Sequence, residues 1–127
     1  MASQSAVLLV LLFVAHFLGD FTPLVTPAML KAKTTGAPIG PFIRHAAIHG
    51  GLVALAVAAV ARPGPGLLAM AASIEFGGHL AIDWIRARAG QKWPAQGNPS
   101  TQTYWTTLGL DQLAHALVLV GIAALVS

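Results

Sequence analysis

Residues 6–21 read AVLLVLLFVAHFLGDF, an apolar run that takes in His16 and Asp20 just before it ends at Phe21. Its length approaches the roughly 17 to 25 residues with which a helix crosses a hydrocarbon core. No Lys or Arg precedes it and no A-x-A-like cleavage site follows it, so it is expected to be a retained helix and not a secretory signal. Three further runs lie downstream, at 42–61, 67–85 and 104–126. Helix breakers separate them: Pro23, Pro27, Gly36, Pro38, Gly40 and Pro41 after the first run, Pro63, Gly64, Pro65 and Gly66 after the second, and Gly90, Pro94, Gly97, Asn98 and Pro99 after the third. The expected fold is all-α: a polytopic membrane protein forming a four-transmembrane-helix bundle. It is expected to be one transmembrane domain over 1–127, with helices at about 6–21, 42–61, 67–85 and 104–126. Ala28 to Lys33 suits a short interfacial helix.

Composition agrees with that reading. The chain has 127 residues, of which 56% are hydrophobic and 9% charged, whereas soluble domains carry roughly 25% charged residues. The absence of cysteine excludes disulfides, thiolate metal sites and cysteine nucleophiles. The net charge of +3 comes from seven scattered basic residues. They form no patch or stripe, and nucleic acid is excluded as a partner. The expected partner is the lipid bilayer, with room for a homo-oligomer or a larger membrane complex. The expected location is the inner (plasma) membrane.

The basic residues also predict orientation, because cytoplasmic loops retain an excess of Lys and Arg. Lys31, Lys33 and Arg44 lie around the first connection and Arg86, Arg88 and Lys92 around the third, while the other side has only Arg62. Both termini are therefore expected on the non-cytoplasmic side. Trp84, Trp93, Tyr104 and Trp105 fall on the cytoplasmic side, where amphipathic aromatics anchor. Lys31 and Lys33 read as orientation charges, and Arg44 as a side chain snorkelling to the headgroups.

Function is carried by what remains inside the apolar runs: all four acidic residues and all five histidines. Each run holds one i, i+4 pair: His16 and Asp20, His45 and His49, His79 and Asp83, Asp111 and His115. That spacing puts both members on one helix face, one turn apart. With alternating helix directions, all four pairs fall within roughly one to eleven residues of the cytoplasmic boundary, a layer about 15 Å deep. A charged residue in that layer costs about 2.5 to 3.5 kcal/mol even on the lenient insertion scale, so the pairs must compensate one another.

Converging imidazoles and carboxylates in a four-helix bundle suit one or two divalent metals, with Zn, Fe or Mn the candidates. The expected ligands are His16, Asp20, His45, His49, His79, Asp83, Asp111 and His115. A single ion would use three or four of them and leave the other carboxylates to orient the ligand imidazoles. Glu75, one turn before His79, is either a further ligand or the catalytic general base for a metal-bound water. A chain of Asp, Glu and His also suits a proton or metal-ion transport module. The apolar outer halves, such as 7–13, 52–60 and 117–126, provide no polar path to the far side. A small metal-dependent enzyme of hydrolase type is the leading reading, ahead of transport and of a stabilising subunit in a larger complex.

At HFLGDF, HAAIH, HLAIDW and DQLAH the chain resembles a bacterial family of small inner-membrane proteins classed as a domain of unknown function. That family shows an H-x-x-x-D-F motif on its first helix, followed by a lysine that Lys33 would match, then H-x-x-x-D on the third helix and D-Q-x-x-H on the fourth. The resemblance covers nearly the whole chain and implies the four-helix membrane fold and the His/Asp site, with no activity attached. A looser similarity links the motifs to membrane metal-dependent hydrolases and to the H-x-x-x-H boxes of membrane di-iron enzymes.

Overall fold

The computed structural model describes residues 3–127. Four long helices and one short one account for most of them: α1 (Gln4–Phe21), α2 (Pro27–Thr35), α3 (Ile39–Val60), α4 (Pro65–Lys92) and α5 (Gln102–Val126), with a single 3₁₀ turn at Pro94–Gly97 before α5. Hydroxyl caps begin three of them. Ser3, Thr26 and Thr101 accept from the backbone N–H groups of Ala6, Met29 and Tyr104, satisfying donors that a helix start leaves free. Pro65 begins α4, where its missing N–H costs nothing. Gly36 ends α2 with φ at 76°, a left-handed turn that glycine adopts without a Cβ penalty.

α1 packs on α3 and α5, and α4 packs on the same two helices, so the long helices form a closed square. α2 lies against α3 and α4 and buries Met29 and Ala32. All four long helices are long and apolar enough to cross a membrane. Their outer faces carry large apolar side chains, among them Val10, Phe17, Leu55, Ile85 and Leu117. An apolar exterior on this scale marks a membrane-facing surface.

Along the bundle axis the interior divides in two. At the end holding the chain termini and the α3–α4 turn, Leu8, Leu12, Val53, Val57, Ala71, Leu119 and Ile122 form a purely apolar core. The other half is polar.

The helix boundaries differ from the hydropathy reading at two places. α3 starts at Ile39, one turn earlier than expected, and α4 runs to Lys92 instead of ending near Ile85. Hydropathy falls after Ile85, but Arg, Ala, Gln and Lys are good helix formers and the helix continues. Ala87 is buried, and the Gln91 side-chain amide donates to the Thr35 carbonyl at the end of α2. Arg86 and Arg88 therefore sit on a helix and not in a loop. The 28 residues of α4 extend about 42 Å, beyond a hydrocarbon core of roughly 30 Å. The short helix expected at Ala28 to Lys33 forms as α2, slightly longer at both ends.

Candidate metal centre

The buried polar residues are His16, Asp20, His45, His49, Glu75, His79, Asp83, Asp111 and His115. They are the same nine that the apolar runs contain, and the square of helices brings all of them into one cluster. The i, i+4 spacing explains the placement, since each pair occupies the inward stripe of its own helix. Close helix approach explains the density. A Cβ on Gly19 of α1 would overlap the His49 ring of α3, and one on Gly50 would lie 3.1 Å from the Ala72 carbonyl oxygen of α4.

Asp20 lies at the centre. Its Oδ1 is 3.0 Å from His45 Nε2, 3.2 Å from His49 Nε2 and 3.7 Å from His79 Nε2, and His79 Nε2 is 3.1 Å from His45 Nε2. These four residues form one of three buried groups whose donor atoms lie within 4.8 Å of one another and could hold a metal ion. A tetrahedral ion with ligands at about 2.1 Å sets its ligand atoms about 3.4 Å apart, and the four measured separations bracket that edge. The second group is His79, Asp83 and His115, with Asp83 Oδ2 3.3 Å from His79 Nε2 and Asp83 Oδ1 3.4 Å from His115 Nε2. The third is His16, His49, Glu75 and His79. His79 belongs to all three.

Glu75 stands at the apolar end of the cluster. Its Oε1 is 3.5 Å from His79 Nδ1 and 3.8 Å from His49 Nδ1, while the Nε2 atoms of both rings face Asp20. Two imidazoles thus separate Glu75 from Asp20. The rings of His49 and His79 are stacked, with centroids 3.5 Å apart. His16 Nε2 lies 3.5 Å from Asp20 Oδ2 and donates to Gln112 Oε1 at 3.2 Å, and Gln112 Nε2 donates to Asp111 Oδ2 at 3.0 Å. Asp111 belongs to none of the three groups. Its Oδ2 accepts from Arg86 Nη1 at 2.9 Å, which makes it the anchor of an arginine.

Several buried atoms have no hydrogen-bond partner among the described residues, including His49 Nε2, Glu75 Oε1, both Asp83 oxygens and His115 Nε2. Native interiors satisfy nearly all such atoms, so a concentration of them in one cluster points to a ligand that completes it.

A family model described as a protein of unknown function, DUF3307, matches residues 8–127. The chain belongs to that family. No curated protein and no solved structure matches it. In this member of the DUF3307 family the matched span includes every buried ionisable residue. It also includes two cations whose place the charge pattern alone does not reveal. Lys33, on α2, is turned inward: its Nζ donates to Asp20 Oδ1 at 2.8 Å and lies 3.5 Å from Asp83 Oδ2. Burial opposes its charge, but the Asp83 and Asp20 carboxylates outweigh burial and hold its pKa above the ordinary lysine value. Arg86 is the other. Spacing gave no signal for either residue beyond the motif resemblance that pairs a lysine with the first helix, because both act across elements.

A cavity of about 660 Å³ opens at this end of the bundle, lined by Lys33, Asp83, Arg86, Gln91 and Tyr104 among others. It gives the cluster an entrance on the side away from the apolar core.

Proposed function

We propose that the protein is an inner-membrane, metal-dependent enzyme of hydrolase type, with one divalent ion (Zn, Fe or Mn) held by Asp20, His45, His49 and His79. The observation that carries this reading is the set of separations of 3.0 to 3.7 Å among those four donors, close to the edges of a tetrahedral site. Charge supports it. With neutral imidazoles, Asp20, Glu75, Asp83 and Asp111 against Lys33 and Arg86 leave two negative charges, the complement of one divalent ion. One ion also fits the sharing of His79, since the same atom, Nε2, lies 3.7 Å from Asp20 Oδ1 and 3.3 Å from Asp83 Oδ2, and a single lone pair serves a single ion. A second ion on the Asp83 and His115 side would have to do without it.

The ion would supply Lewis acidity and a water of lowered pKa. The other residues take supporting roles. Glu75 lies behind His49 and His79, with Oε1 3.8 and 3.5 Å from their Nδ1 atoms, on the side from which a carboxylate orients a metal-bound imidazole. The general-base role expected of Glu75 passes in this reading to Asp83, which lines the entrance cavity and has both oxygens without a hydrogen-bond partner among the described residues. His115 Nε2 lies 3.4 Å from Asp83 Oδ1, and Asp111 positions Arg86. Both termini lie on the non-cytoplasmic side and the cavity opens toward the cytoplasm, as the basic bias requires. The sealed apolar half, built on Leu12, Val53, Val57 and Leu119, favours a site entered from one side over a transport path.

Metal quantification by mass spectrometry after dialysis against a weak chelator tests the reading. About one ion per chain is expected, and its removal should lower the unfolding midpoint, because a ligand bound only by the native state stabilises it. A folded, metal-free protein that gains no thermal stability from added Zn, Fe or Mn would overturn it.

A further inference from the structure

Beside the entrance cavity runs a second hollow, of about 280 Å³, between α4 and α5. Ile82, Ile85, Leu110 and Ala114 line it, and Ile85 and Leu110 are on the outer face of the bundle. Arg86 and Gln96 line both spaces, so the apolar groove and the polar cavity adjoin at the Arg86 side chain. Among the described residues Arg86 has one protein partner, Asp111, for a guanidinium that carries five donors. Lys33 lines the same cavity from the opposite helix. Trp84, Trp93 and Trp105 are exposed around this end of the bundle, the level at which such side chains meet lipid headgroups.

From this juxtaposition we infer that the site takes a phosphate-bearing membrane lipid, its anionic headgroup in the cavity between Lys33 and Arg86 and an acyl chain in the α4–α5 groove. This rests on the metal-site reading above and adds to it the class of substrate. Phosphate matches the guanidinium fork, which pairs bidentately with planar or tetrahedral oxyanions. The exposed apolar side chains Ile85 and Leu110 flank the groove, so an acyl chain there stays against an apolar surface while the headgroup reaches Asp83 and the ligand cluster. A free phosphate compound would use the cavity and leave the groove without a role.

The test uses the purified, metal-replete full chain in detergent, with binding read by native mass spectrometry and by thermal shift, and metal content measured on the same samples. The probes are long-chain phosphatidate, phosphatidylcholine, diacylglycerol, glycerol 3-phosphate and inorganic phosphate. Phosphatidate is expected to bind at least about tenfold more tightly than any of the others, since a paired headgroup and chain each contribute more than 1.4 kcal/mol. Arg86→Gln should remove the preference over diacylglycerol. Ala114→Phe, which fills the groove, should remove the preference over glycerol 3-phosphate with metal content unchanged. Leu110→Trp, at an exposed position, serves the same purpose if Ala114→Phe does not fold. Equal binding of inorganic phosphate and phosphatidate, or of phosphatidylcholine and phosphatidate, overturns the inference, as does undiminished preference in the groove variants. A wild-type protein that holds metal but shows no phosphatidate preference sinks this inference alone. A protein that holds no metal sinks the reading beneath it.

Discussion

Gly19→Ala tests the geometry of the metal centre by adding one methyl group. In the structure a Cβ at Gly19 would lie 2.5 Å from His49 Cε1 and 2.9 Å from Cδ2, against about 3.5 Å for carbon atoms in contact. The ring must therefore move by about 1 Å. His49 Nε2 is 3.2 Å from Asp20 Oδ1, and such a shift takes it out of the tetrahedral edge that one ion requires, to roughly 4 Å. Overpacking costs about 1 to 3 kcal/mol, while replacing a helical glycine with alanine contributes about 1 kcal/mol in the other direction. Gly51→Ala isolates the second effect, because nothing lies within 4 Å of a Cβ there. Gly51→Ala should thus raise the unfolding midpoint slightly and leave metal affinity alone. Gly19→Ala should come out about 1 to 3 kcal/mol less stable than Gly51→Ala and bind metal at least about tenfold more weakly, on the scale seen when a ligand's support is disturbed. Chelator titration followed by metal analysis, with thermal unfolding of the apo and loaded proteins, measures both. Equal metal affinity and equal stability in the two alanine variants would refute the proposed role of His49 and the close α1–α3 approach together.

Other variants separate the remaining roles. Glu75→Gln should keep the fold and lower metal affinity about 10- to 100-fold, whereas His79→Ala should lose the metal; a Glu75→Gln protein with full metal affinity and no turnover would return the general-base role to Glu75. Single cysteines probe orientation cleanly, since the chain has none. Ser127→Cys should react with an impermeant reagent in intact cells and Lys92→Cys should not, and the opposite pattern reverses the topology. In chelator-treated protein Lys33→Met should be less stable than wild type. Because the folded pKa of Lys33 is raised, its contribution is complete below the ordinary lysine value of 10.5 and is lost only as pH rises through the folded value. The gap between the unfolding midpoints should stay constant from about pH 7 to 9, and a gap that closes in that range assigns the effect to another group.

The four spans and the inward stripe of each were legible in the chain because lipid imposes a strong, local rule. A run such as Ala6 to Ala15 has few alternatives to a spanning helix, and a His and an Asp four residues apart must share a face whatever surrounds them. The convergence of the pairs followed from the same arithmetic of rise and alternating direction. Which atoms meet did not. Asp20 gathers Lys33, His45, His49 and His79 within 3.7 Å of one oxygen; Glu75 lies on the Nδ1 side of two rings; Asp111 holds Arg86. Those outcomes depend on how far each helix rotates and how closely it approaches its neighbours, distances of an ångström set by Gly19 against the His49 ring and Gly50 against the Ala72 carbonyl. The inward turn of Lys33 and the extension of α4 to Lys92 were likewise invisible to hydropathy. It registers how apolar a segment is, whereas α2 packing, the Gln91 to Thr35 hydrogen bond and the carboxylates beneath Lys33 are contacts between residues far apart in the chain.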